Sequence, residues 1–204
     1  MSNCGCEIEI KNKEERGVLY ILLSINGFMF FAEFIAGWIA ESTGLIADSL
    51  DMLADALVYT TALYAVGKGM QAKVNSARLN GILQLVLGAS VLIDILRRAI
   101  YGSEPESTFM ILISIVALAA NVTCLALLMK HREGEVHMRA TWICSRSDVI
   151  ANIGVIIAGV LVAFTGSRIP DLVIGCVISA VVTKGGIDIL REAKEATLNS
   201  PLPS

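Results

Sequence analysis

Six apolar stretches, each long enough to cross a lipid bilayer as a helix, fill most of this chain of 204 residues. They lie at about 17–40, 45–67, 79–96, 107–129, 138–165 and 170–190. Backbone inside hydrocarbon must satisfy its own polar groups, so stretches of this length read as spanning helices. The composition agrees: 55% of residues are hydrophobic and 17% charged, too apolar for a soluble domain of this size. Pro105 and Pro170 fall between stretches and Pro201 and Pro203 in the tail, so no proline breaks a span. The fold class is therefore all-α and polytopic. An N-terminal tail (1–16) precedes a six-helix transmembrane domain (17–190), and a short C-terminal tail (191–204) follows it.

Charge sets the orientation. With both termini in the cytoplasm, twelve of the sixteen Lys and Arg lie inside, while Arg97, Arg98 and Arg168 lie outside and Arg146 within a span. That bias places both termini inside a multi-pass protein of a plasma membrane, the bacterial inner membrane being the expected one. The first sixteen residues are polar and charged, so no cleavable signal is visible. The net charge is only −3 and the basic residues sit at segment ends, which excludes a nucleic-acid partner. Five cysteines with the termini inside argue against a disulfide framework. No nucleophile and base pair, Gly-rich phosphate loop or HExxH motif is present, so the chain reads as neither an enzyme nor the carrier of a prosthetic group.

Acids inside the spans carry the chemistry. Asp48, Asp51 and Asp55 interrupt the second stretch, and Cys144 and Asp148 the fifth. Each carboxylate at mid-bilayer depth costs about 2.5–3.5 kcal/mol, so four oppose insertion by roughly 10 kcal/mol unless something neutralises them. At 100° per residue, Asp51 and Asp55 lie about 40° apart and Asp48 about 20° from Asp55, all on one helix face. Cys144, Asp148 and Asn152 recur every four residues and form a second polar stripe. Carboxylates and a thiolate on two facing stripes can close a tetrahedral shell around a zinc-like cation.

The run Leu45-Ile-Ala-Asp-Ser-Leu-Asp-Met-Leu-Ala-Asp55 resembles the second helix of the cation diffusion facilitators, which export divalent transition metals. Members of that family carry ligands spaced i, i+4 in helix two and a His-x-x-x-Asp in helix five. Position by position, the resemblance implies the metal ligands Asp51 and Asp55, and Cys144 and Asp148 within Arg139-Ala-Thr-Trp-Ile-Cys-Ser-Arg-Ser-Asp-Val149. It extends to Asn26 and Glu33 in the first helix and Pro170-Asp171 opening the sixth, and so covers nearly the whole chain. Cys144 replaces the usual histidine with a softer ligand that must lose a proton to bind. The sequence stops about fourteen residues after the sixth stretch, where family members usually continue into a cytoplasmic domain, so the resemblance implies a short form. Its homodimer is then expected to form through membrane helices alone. The cargo implied is a divalent metal, Zn2+ or Cd2+ first, exchanged for protons across the lipid bilayer.

Several residues keep two readings. Asp48 is either a structural acid or an auxiliary group orienting a ligand. Asn152 extends the fifth-helix stripe as an auxiliary group. Asn26 and Glu33 share a face of helix one and either make a polar helix contact or line the permeation path. Arg146 points away from Cys144 and Asp148, with Asp94, Glu33 or Asp48 as partners. Cys124 and Cys176 read as small hydrophobes. Cys4, Cys6, His131 and His137 read as solvated groups or as cytoplasmic metal captors. The competing function is a proton or sodium pathway needing carboxylates only, or a membrane interaction protein that moves no ion.

Overall fold

The computed structural model describes residues 13–65, 70–129 and 136–198, and among them every element is helical. Six helices follow in chain order: α1 (Lys13–Ile39), α2 (Thr43–Ala65), α3 (Met70–Tyr101), α4 (Ser107–Leu128), α5 (Val136–Thr165) and α6 (Ile169–Leu198). All but α2 contain a window long and apolar enough to cross a membrane. The three aspartates of α2 account for the exception. Phe28, Phe31, Trp38, Ile100 and Phe164 project from the outer surface, an apolar exterior suited to lipid and not to water.

The third helix is the largest departure from the sequence reading, which gave 79–96. It has 32 residues, about 48 Å at 1.5 Å per residue, against a hydrocarbon core of about 30 Å. Hydropathy sees only the part in lipid. Gln71, Ala72, Lys73 and Arg78 are good helix formers that extend the helix beyond it. In the same way α6 runs on through Leu198, beyond the expected 190. Pro170 is not between helices but second in α6, in the first turn, where its missing N–H has no intrahelical acceptor to lose.

The central element is α2, which packs against all five other helices, whereas α1 touches only α2 and α4. With α4 and α5 these form a four-helix bundle, and α3 and α6 pair with each other alongside it. Small residues bring that pair together. A Cβ at Gly81 would approach Leu190 Cγ to 2.6 Å, one at Gly88 would collide with the Thr183 hydroxyl, and Ser179 Oγ donates to the Gly88 carbonyl at 2.9 Å. At one end of the bundle Leu45, Leu50, Val91, Met110, Val155, Val162 and Ile178 form an apolar cluster, and at the other end Leu19, Leu22, Tyr59, Cys124 and Leu128 form a second.

Candidate metal centre

The register of α2 is fixed from outside the helix. Ser42 precedes it, and its Oγ accepts from Leu45 N–H at 3.2 Å. Asp171, from the first turn of α6, accepts from Thr43 N–H at 2.6 Å, Gly44 N–H at 2.9 Å and Ser42 Oγ–H at 2.6 Å. An acid from a neighbouring helix thus caps the unpaired N–H groups of this N-terminus and complements its dipole. From that start Asp48, Asp51 and Asp55 fall on the bundle-facing side of α2. Asp48 is 1% exposed and Asp55 9%, while Asp51 is half-buried.

On α5, Asp148 is 7% exposed and Asn152 wholly buried. The Asn152 side chain donates its amide N–H to Asp48 Oδ2 and accepts at its own oxygen from Asn121 Nδ2, 3.0 Å away on α4. Tyr59 donates its hydroxyl to Asp55 Oδ2 at 3.0 Å. Neither Asn121 nor Tyr59 stood out in the sequence. Tyr59 lies four residues after Asp55, a helical spacing that gives it away, and Asn121 is the lone amide of α4.

The structure brings the two acidic stripes together. Asp148 lies close enough to Asp55, Asp51 and Asp48 for direct charge repulsion, strongest from Asp55. Asp51 in turn lies in the field of Asp55 and Asp48. Among the described residues no three acid, thiol or imidazole groups converge tightly enough to enclose an ion. The side chains of Cys144, Arg146 and His137, and all of Cys4, Cys6 and His131, lie outside the described residues.

Asn26 and Glu33 both face into the bundle, 2% and 0% exposed. Asn26 Nδ2 donates to the Leu22 carbonyl at 2.9 Å, and its oxygen has no partner. Glu33 sits beside Asp48, and neither of its oxygens accepts a hydrogen bond. Asp94, one suggested partner of Arg146, is already engaged on its own helix by Arg98 at 2.5 Å and Arg97 at 2.8 Å. Cys124 is buried in the apolar cluster with Leu19, and Cys176 faces outward.

Residues 19–196 match the family profile of the cation efflux transmembrane domain. The chain is 29% identical over 193 residues to the zinc transporter ZitB of Yersinia pseudotuberculosis, a match covering 86% of this chain and 60% of that protein. It is 22% identical over 190 residues to the cadmium, cobalt and zinc/H(+)-K(+) antiporter of Bacillus velezensis, covering 86% and 60%. With the metal cation efflux system protein CzcD of Cupriavidus metallidurans the identity is 22% over 193 residues, covering 85% and 61%. The chain thus spans about 60% of the length of these relatives.

Proposed function

Because the chain belongs to the cation efflux transmembrane family, we propose that it exports divalent transition metals, Zn2+ and Cd2+ first among them, in exchange for protons. One observation carries this reading. Asp148 on α5 lies in the field of Asp51 and Asp55 on α2 within the bundle, and Arg98, the buried arginine among the described residues, is engaged by Asp94. Buried acids without a counter-charge are costly, and a divalent cation is the partner that two pairs of ligands on facing helices suit. The relatives' names point to zinc, cadmium and cobalt. The family is one of transporters and not of enzymes.

In this reading Asp51, Asp55, Asp148 and the Cys144 thiolate are the ligands, Asn152, Asp48 and Asn26 are auxiliary groups around them, and Glu33 stands beside Asp48 on α1, off the metal route. Metal enters from the cytoplasm, displaces protons from the ligands, and leaves on the other side once the helices have rocked and protons return. Protons compete for the same groups, so affinity falls as pH drops. Both termini are cytoplasmic on the charge bias, and the protomers associate as a homodimer through membrane helices. The experiment is transport in proteoliposomes. Asp55→Ala and Asp148→Ala should each abolish metal uptake while the protein stays folded. Transport at the normal rate in both variants would remove the site assignment.

A further inference from the structure

Glu33 on α1 is wholly buried, yet no donor reaches either of its oxygens. Its polar neighbour is another carboxylate, Asp48 on α2, also buried. Two ionised carboxylates side by side in an apolar bundle are desolvated and repel, so a positive charge belongs between them. No described lysine or arginine supplies it: Arg98, the buried arginine, is paired with Asp94 and directs its remaining field at Asp171.

A metal fits poorly there. A zinc-like ion takes four donors, whereas the pair offers two carboxylates and the nearby Asn152 oxygen is already occupied by Asn121. A proton fits well, because one proton turns two repelling acceptors into a charge-assisted hydrogen bond. Asn152 adds direction. Its N–H donates to Asp48 Oδ2, which suits Asp48 as the ionised member and leaves Glu33 as the proton carrier.

We propose that Glu33 and Asp48 form a proton-sharing pair that carries one coupling proton, separate from the metal ligands. The inference rests on the transport reading above. Among the described residues, the charged groups around the pair are acids. Helix α1 packs against α2, which contributes Asp48, Asp51 and Asp55, and against α4, which has no acid or base other than Cys124. Asp148 adds its field from α5. Beside α2, the α3 pair Asp94 and Arg98 neutralise each other, and on α6 Asp171 is saturated by the end of α2.

Geometry links the pair to the metal. Asp48 precedes Asp55 by about two helical turns toward the start of α2, the outer end on the charge bias. Asn152 follows Asp148 by about one turn on α5, so a shift of α5 as metal binds Asp148 also moves the donor that holds Asp48. In the outward-open form metal departs and one H+ from outside adds to the Glu33 carboxylate. In the inward-open form metal arrives and that H+ leaves to the cytoplasm, with no electron transferred.

The test uses the full chain in proteoliposomes, with Zn2+ and a pH dye. Glu33→Gln should keep zinc-for-zinc counterflow and lower the protons moved per zinc by one. Infrared spectra of the metal-free wild type should show a protonated carboxyl band that Glu33→Gln lacks. An unchanged proton ratio overturns the pair, and so does loss of counterflow, which would put Glu33 at the metal or in the fold. Asp55→Ala run beside it tests the underlying reading: if it retains counterflow the metal site fails, whatever Glu33→Gln does.

Discussion

Asp171, in the first turn of α6, accepts a 2.6 Å hydrogen bond from the backbone N–H of Thr43, the first residue of α2. The helix that carries the acidic face is therefore held in register by a side chain from a different helix. Asp171→Ala strands that N–H, the Gly44 N–H and the Ser42 hydroxyl, and should cost about 2 kcal/mol in thermal unfolding in detergent. Asp171→Asn keeps one acceptor oxygen and should fall between. Wild-type stability in the alanine variant would mean that the cap contributes nothing.

The α3–α6 contact depends on having no side chain at Gly88. Gly88→Ala drives its methyl into the Thr183 hydroxyl and should destabilise by about 1–3 kcal/mol, typical of overpacking. Thr183→Ala removes the obstacle, so the double variant should recover most of the loss. A double-mutant cycle with no coupling would show that the two residues do not meet.

Glu106 caps α4, accepting from Phe109 N–H at 2.8 Å and Thr108 N–H at 3.3 Å. Those bonds, Phe109's foremost, hold its carboxyl below the usual range for a glutamate. A lowered folded-state value means the stabilisation is present above the ordinary value near 4.5 and is lost as pH falls through the folded one. Glu106 is exposed, so the effect is small. Glu106→Gln should lower the melting temperature slightly at neutral pH, and the difference from wild type should shrink as the pH is lowered through the folded value.

On the proposed ligand set, replacing Cys144 changes ligand softness. Cys144→Ser exchanges a thiolate for a hydroxyl, so cadmium transport should drop by about tenfold or more, and further than zinc transport. Equal losses for both metals would take the thiolate out of the first coordination sphere.

The sequence displayed the features that repeat along a helix. Six spans and the shared face of Asp48, Asp51 and Asp55 follow from length and period, and so do the inward directions of Asn26 and Glu33. What stayed hidden is what period cannot encode. Hydropathy stops where lipid stops, so the polar first turns of α3 were invisible. The Asp171 cap and the chain from Asn121 through Asn152 to Asp48 join residues 31 to 129 positions apart, and only packing reveals such contacts. Asp94 was offered to Arg146, yet Arg98 at i+4 is the cheaper partner because no second helix has to be positioned.

The central claim is that one divalent ion is shared between α2 and α5. Crystals grown with Zn2+ and measured at the zinc absorption edge test it most directly. The account predicts one anomalous peak per protomer within about 2.0–2.3 Å of carboxylate oxygens of Asp51, Asp55 and Asp148 and of the Cys144 sulfur. A peak bound by α2 alone, or no peak inside the bundle at saturating zinc, would contradict it.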